Sequence, residues 1–379
     1  MPDIHDVIVV GGGPAGSTCA KFLVAGGARV AVVDRAAFPR VKLCAGWLSP
    51  AFWDVVSLAP RAYPRGLWEW HIAHVHYRGA DHAIPCHGWF IRRYELDDFL
   101  LRSSGAELHL GVSAKQITRD ADGLWRIGEL RARTLVGAGG THCPVARLLA
   151  PPRPRRAVGV QELELQAGTP AVARTRLGAD GEPELVLFDD VGGYGWNVPK
   201  SDWLNVGCGT LDAGRVRDAW RTTHGHLRAA GHVPPEVEPA LAQVKGHSYY
   251  LFDPAHLDGA QRDGALLVGD ALGLAHPITA EGIVPACASG RRAAEAILAG
   301  EPASYAARLR VDPVLADYRR VHRIVGAATQ LKRRMPARAG GRGSELGRAV
   351  VARGFAWMFS GKRLPGGRLL DAVLGTGRS

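Results

Sequence analysis

At 379 residues and 46% apolar content, the chain can form two domains, or one large domain with an insertion, around a sizeable core. No run approaches the roughly 18 to 20 uninterrupted apolar residues that span a bilayer. The opening residues have neither the basic start nor the small-residue cleavage site of a secretory signal, so a cytoplasmic protein is expected. The formal net charge of +11 gathers at one end: residues 331–379 carry eleven Lys or Arg against Glu345 and Asp371 alone. Such an end reads either as a solvated basic tail or as a peripheral contact with anionic membrane lipid.

In chain order, Asp6–Val10 is a short β-branched run that enters Gly11-Gly12-Gly13-Pro14-Ala15-Gly16. Ser17–Ala25 then reads as a helix, and Arg29–Val33 as a second strand ending in Asp34. This is a βαβ unit of dinucleotide-binding type. Gly11 permits the tight turn, Gly13 lets the backbone approach a pyrophosphate, and Gly16 lets helix and strand meet closely. The helix start presents unpaired N–H groups and a partial positive charge to phosphate. Asp34 follows Gly16 by eighteen residues, near the separation of about 20 expected of a ribose-binding carboxylate. An acid there repels a 2′-phosphate, so FAD or NAD is expected rather than NADP.

Further along, Ala132–Val136 reads as a strand into Gly137-Ala138-Gly139-Gly140. Ala265–Val268 is another strand, ending in Gly269-Asp270, and a helix is expected from about Gly282 to Leu298. Between these pieces, 67–90 and 156–210 are rich in Trp, Tyr and Val with frequent turn residues, which predicts an antiparallel sheet. The expected fold class is α/β. A discontinuous Rossmann-like FAD-binding domain of mostly parallel strands takes 1–60, 91–155 and 262–300. An inserted antiparallel-sheet substrate domain takes 61–90 and 156–261, and 301–379 forms a helical basic C-terminal region. Pro151–Arg156 is a plausible crossing between domains. In 345–359, arginines alternate with Val350, Val351, Phe355, Trp357 and Phe359. A helix here would lie on a membrane surface or dock on its own protein.

The six cysteines, at 19, 44, 86, 143, 208 and 287, show no Cys-x-x-Cys spacing. Neither a disulfide framework nor a metal site is expected.

The glycine loop alone does not separate FAD from NAD. Gly269-Asp270-Ala271 followed by Pro277-Ile278-Thr279-Ala280-Glu281-Gly282-Ile283 resembles the second flavin motif of the para-hydroxybenzoate hydroxylase-like flavoproteins. Within that superfamily the chain is most similar to the geranylgeranyl reductase family. Lys42-Leu43-Cys44-Ala45-Gly46-Trp47-Leu48-Ser49-Pro50 resembles its Lys-x-Cys-Gly-Gly-x-Leu-Ser-Pro segment, with Ala45 where Gly is usual. Tyr194-Gly195-Trp196-Asn197-Val198-Pro199 resembles its Tyr-x-Trp-x-Phe-Pro substrate motif, with Val198 for Phe and Val191 for the leading Pro. Asn205-Val206-Gly207 follows as in the family. Arg93, Leu96, Asp97 and Leu100 resemble the superfamily helix start whose Arg approaches FAD, whereas Gly139 stands where the family's Gly-Ala-Asp-Gly has Asp. The match is one of scattered motifs between Asp6 and Gly300.

The resemblance implies FAD as resident cofactor, held by Gly11, Gly13, Pro14, Ala15, Gly16, Asp34, Arg35, Cys44, Ala45, Gly46, Arg93, Gly269, Asp270, Gly282 and Ile283. It also implies hydride transfer from reduced flavin to a carbon–carbon double bond of a prenyl-type or other apolar small molecule. The flavin carries the difficult chemistry while the protein sets geometry and excludes water. Tyr194 and Trp196, two apart on a strand, face one way and suit an apolar chain or plain core contact. Cys44 follows Lys42, whose charge favours a thiolate. With Tyr194 and Trp196 it is a candidate for the catalytic set, as a lining residue or proton donor. His276 reads first as a structural histidine. No second glycine loop for NADPH is evident, so NAD(P)H bound transiently, or a reduced carrier protein, is the expected electron donor.

The nearest alternative is a flavin-dependent monooxygenase or halogenase of secondary metabolism. Trp68-Glu69-Trp70-His71-Ile72-Ala73 nearly spells the halogenase Trp-x-Trp-x-Ile-Pro signature, but lacks its Pro and comes early in the chain. A non-catalytic binding protein acting through the basic tail and a plain NAD dehydrogenase are the other readings. No aromatic-interleaved basic motif points to nucleic acid.

Overall fold

The computed structural model describes residues 4–149, 155–175, 181–189, 192–334, 351–355 and 358–359. Val7, Ile8, Val9 and Val10 are buried on both faces of the opening strand Ile4–Val10, as a central parallel strand requires. Val30–Asp34 pairs with it on one side and Leu130–Gly137 on the other, both parallel. Glu107–Leu110 and Ala265–Leu267 extend the parallel set outward. An antiparallel edge strand, Gln261–Arg262, completes one side. The hairpin Ile117–Arg119 with Trp125–Ile127 pairs antiparallel with the start of Leu130–Gly137.

The first helix runs Pro14–Ala25, three residues earlier than the sequence pattern suggests. Proline at the first helical position is pre-set in φ and lacks an N–H that would be unpaired anyway. This helix lies against Ile283–Leu298, and the two approach so closely that a Cβ on Gly290 would sit 2.2 Å from the Ala15 carbonyl oxygen.

A second sheet runs in the order Lys245–Tyr250, Ala157–Gln166, Trp203–Thr210, Gly193–Lys200, Glu184–Leu187, Trp68–Tyr77, Ala80–Phe90, Trp47–Leu48. Every pairing in it is antiparallel except Glu184–Leu187 with Trp68–Tyr77. Trp47–Leu48, which the sequence division assigned to the first FAD-binding segment, pairs here with Trp89 and Phe90. Helix Val216–Ala229 covers one face. The fold is thus mixed α/β, a Rossmann-like parallel sheet joined to a mainly antiparallel one.

Leu48, Phe52 and Trp53 bury against Leu96, Leu100, Ile283 and Cys287, so one apolar cluster ties the start of the second sheet to helices of the first. Residues 151–154 of the expected crossing lie outside the described residues. Among the described residues no helix is long and apolar enough to cross a membrane. Of the aromatic-rich tail segment, 351–355 is helical and Phe355 and Phe359 are buried on their own protein. Val350 and Trp357 lie outside the described residues.

Candidate active site

One cavity of about 1280 Å³ joins the glycine loop to the second sheet. Gly11 has φ +114°, and a Cβ there would stand 2.4 Å from the Ala138 carbonyl oxygen. A Cβ on Gly16 would meet the Gly11 oxygen at 1.9 Å. Gly16 is thus a contact of helix with turn and is not in the cavity wall, whereas Gly11, Gly13, Pro14 and Ala15 are. A Cβ on Gly13 would find only Arg40 Nη2, at 3.5 Å, so the bare backbone there opens to the cavity.

Asp34 and Arg35 also line the wall. The Asp34 carboxylate accepts from the amides of Gly12 and Ala36, both at 2.8 Å, which ties the second strand's end to the glycine turn. On the next wall, Arg93 donates to both carboxylate oxygens of Asp97 at 2.6 and 2.7 Å. Arg40 reaches the same carboxylate at 3.1 Å. Burial by itself would weaken the charge on Arg93, but Asp97 and the Cys44 sulfur outweigh it and hold the guanidinium above its ordinary range.

Cys44 and Ala45 line the cavity; Gly46 does not. Gly46 has φ +73°, and a Cβ there would lie 2.0 Å from the Ile91 oxygen, so it makes the turn that presents Cys44. The Gly46 amide donates to Cys44 Sγ at 3.3 Å. Lys42 also lines the cavity, and its charge bears on Glu162, His247 and Asp270.

The third wall is the turn Gly269–Ala271 and the start of helix Ile283–Leu298. Asp270, Gly282 and Ile283 face the cavity, while Gly269, at φ +60°, sits behind them against Ala15 and Ala286. Burial raises the Asp270 carboxyl above its usual range, more than Lys42 and Arg93 lower it. Burial also pushes Glu281 up to about 8, and its Oε1 is enclosed without a hydrogen-bond partner. His276 is structural: its Nδ1 accepts from the amides of Thr279 and Ile278 at 3.0 and 3.2 Å. Burial lowers it to about 3, so it is neutral at pH 7.

Tyr194 and Trp196 share one face of their strand and both line the cavity, with ring centroids 5.7 Å apart. Tyr194 donates its hydroxyl to the Thr279 oxygen at 2.6 Å. Trp196 donates its indole N–H to Asn205 Oδ1 at 2.7 Å, and Asn205 Nδ2 donates to the Cys44 oxygen at 3.2 Å. A Cβ on Gly207 would fall 2.4 Å from the Trp196 ring. The Asn-Val-Gly segment thus seats the indole and links it to the Cys44 loop. Trp70, from the halogenase-like run, is fully buried beside Trp47 and Phe90 and is not in the cavity wall.

Sequence reasoning missed several wall residues. Glu162 is 1% exposed on a strand whose inward positions before it are Val158 and Val160, an alternation that would have marked it. Burial, only partly offset by Lys42 and Lys200, pushes its carboxyl up to about 7. His247 stands 3.6 Å away, beyond hydrogen-bond range. Burial, then Lys42 and Arg93, lower His247 to about 4, so the two are not an ion pair at pH 7. Phe359 closes another side, 4.5 Å from Trp47 and 5.8 Å from Tyr194 between ring centroids.

These walls fit FAD. The glycines leave bare backbone where a pyrophosphate needs it, two helix starts meet the cavity, and a carboxylate holds the second strand's end.

The FAD binding domain family matches residues 5–54. A menaquinone reductase of Mycobacterium tuberculosis is 27% identical over 340 residues, covering 78% of this chain and 77% of the relative. A digeranylgeranylglycerophospholipid reductase of Methanothermobacter thermautotrophicus is 26% identical, covering 79% and 77%. Among solved structures, a geranylgeranyl bacteriochlorophyll reductase-like protein of Thermoplasma acidophilum superposes with a TM-score of 0.67 at 17% identity, covering 99% of this chain and 96% of that one. A flavin-dependent brominase shares the fold at a TM-score of 0.64 and 20% identity, covering 98% of each chain. The chain thus carries an FAD-binding domain and, over more than three quarters of its length, is similar to FAD-dependent oxidoreductases that include reductases of the geranylgeranyl type.

Proposed function

We propose that the protein reduces a carbon–carbon double bond in a prenyl-type or similarly apolar small molecule. The observation that carries this reading is the continuity of one cavity from the glycine loop to the Tyr194 and Trp196 face. The names of two relatives refer to molecules with isoprenoid chains, which supports the same substrate class. FAD, when bound, supplies the hydride.

The chain's own residues do the rest. Gly11, Gly13 and the start of helix Pro14–Ala25 bind the dinucleotide. Tyr194, Trp196 and Phe359 provide the apolar wall along which a hydrocarbon chain lies and from which water is excluded. Hydride addition to one carbon requires a proton at the other. Glu162, buried in the wall on the second sheet beside the aromatic face and carrying its proton below about pH 7, is assigned as the donor. Cys44 lines the same space, held by the Gly46 amide at its Sγ and by Asn205 at its carbonyl oxygen. Electrons arrive from NAD(P)H bound transiently or from a reduced carrier protein.

The test is anaerobic. Purified protein is reduced with NADPH or dithionite, and geranylgeranyl diphosphate or a polyprenyl quinone is added while the flavin band is followed. Reoxidation of flavin with a product two hydrogens heavier supports the reading. Turnover only with oxygen, or only with oxygen and halide, would replace it with monooxygenase or halogenase chemistry on this scaffold.

A further inference from the structure

On the face of the second sheet turned away from the flavin cavity, three ligand-type atoms converge. Strand Glu184–Leu187 runs parallel to Trp68–Tyr77 with Glu184 opposite His74 and Val186 opposite His76, so Glu184 and His76 share a face. The next residue, Leu185, turns the other way and lines the cavity. Helix Val216–Ala229 crosses the Glu184 face and brings His226 in its last turn. Glu184 Oε1 lies 2.9 Å from His76 Nε2 and 3.4 Å from His226 Nε2, and the two imidazole centroids are 4.3 Å apart.

We propose that His76, Glu184 and His226 bind one divalent transition metal of the zinc class, with water in a fourth position. Zinc holds nitrogen and oxygen ligands at about 2.0 to 2.2 Å, which sets tetrahedral ligand atoms roughly 3.3 Å apart. The two separations to Glu184 Oε1 fall on either side of that spacing. All three atoms are buried, and their only close polar contacts are with one another, the carboxylate oxygen lying in ion-pair range of both imidazoles. Two imidazole nitrogens and a carboxylate oxygen enclosed together and converging on one point form a donor set that a divalent cation would bind.

The surroundings are those of a metal site as well. His76 Nδ1 hydrogen-bonds the Asp81 carboxylate, which leaves Nε2 as the lone-pair nitrogen facing Glu184. Such a carboxylate behind a ligating histidine fixes its tautomer and raises its basicity. The other Glu184 oxygen, Oε2, is held by His232 Nδ1 at 2.8 Å and Asn197 Nδ2 at 3.3 Å, so Oε1 is aimed by fixed partners. A nitrogen and oxygen set with no thiolate suits zinc and its neighbours. A second group, Glu69, His71 and His87, is largely exposed, and His87 already bonds Glu69 at 2.7 Å. It serves as the control.

The test uses the flavin-loaded protein. After chelator treatment it is dialysed against graded zinc, and bound zinc per flavin is measured by mass spectrometry. One tightly held zinc per chain is expected. His226→Gln should weaken binding more than about 100-fold, and Asp81→Asn, at an exposed position, by about 10- to 100-fold. His71→Gln should leave it unchanged. If His226→Gln fails to retain flavin, Asp81→Asn decides alone. Failure of the flavin-loaded wild type to take up zinc would overturn the proposal. So would zinc binding indifferent to Asp81→Asn. Neither result bears on the reductase reading, because flavin content and turnover are read separately.

Discussion

Trp196 and Asn205 are joined across two neighbouring strands by a 2.7 Å hydrogen bond from indole N–H to side-chain carbonyl. The same Asn205 holds the Cys44 oxygen with its amide. One buried side chain therefore links the aromatic wall to the loop beneath it. Asn205→Ala leaves the buried indole N–H unpaired, an expected loss of about 1 to 3 kcal/mol in stability. Asn205→Asp keeps the acceptor and drops the donor to Cys44. Denaturant titration should therefore rank wild type above Asp and Ala, while flavin content stays near unity in all three. Equal midpoints for wild type and Ala would contradict the linkage.

The loop glycines separate binding from folding. Gly16→Ala forces a Cβ against the Gly11 backbone, so it should lower the unfolding temperature even of apoprotein. Gly13→Ala meets nothing closer than 3.5 Å and should leave apoprotein stability unchanged, yet it obstructs the pyrophosphate. Flavin released on dilution, followed by fluorescence, would register the second effect. Thermal melts of the apoproteins would register the first.

Glu162 gives a pH dependence with a definite sign. Its carboxyl, pushed up to about 7 by burial, carries a proton below that pH and loses it above. As the donor it should make single-turnover reoxidation of reduced flavin by substrate fall as pH rises through about 7. Glu162→Gln has no acidic proton to give, and should slow the step by about 10²- to 10⁴-fold and flatten the profile. The same group affects stability. A folded value above the ordinary carboxyl range means the folded state binds more protons, so its contribution is complete at low pH and is lost as pH rises through about 7. A pH-independent rate in the wild type would remove Glu162 from the chemistry.

Phe359 stands between Trp47 and Tyr194 at the cavity wall and is 4% exposed. Phe359→Ala removes apolar surface from the substrate's side of the cavity, an interaction of about 1.5 to 3 kcal/mol if the substrate covers it. KM for an apolar substrate should then rise at least about tenfold, with kcat and flavin content little changed. A fall in kcat with KM constant would mean that the ring positions reacting groups and does not bind the chain.

The glycine loop, its helix and Asp34 are legible in the sequence because they form one local βαβ unit, whose turn geometry demands glycine at named positions. The motif around Gly269 and Gly282 is legible for the same local reason. Strand and helix ends shift by a few residues, as at Pro14, where the proline starts the helix instead of preceding it. Trp47–Leu48 is the larger departure: a two-residue strand carries too short a pattern to reveal which sheet it joins.

What the sequence determined by itself was the nucleotide-binding half, the flavin-type second motif and the aromatic pair Tyr194 and Trp196, each written within a short stretch of chain. Only the tertiary structure brought Glu162 and Phe359 to the cavity and gathered His76, Glu184 and His226 at one point. The scattered cysteines gave no hint of that cluster, because its ligands come from two strands and a helix far apart in the chain. Which side chains meet across a sheet is set by strand order and register, and those are decided by burial over the whole fold, with no local spacing to record them.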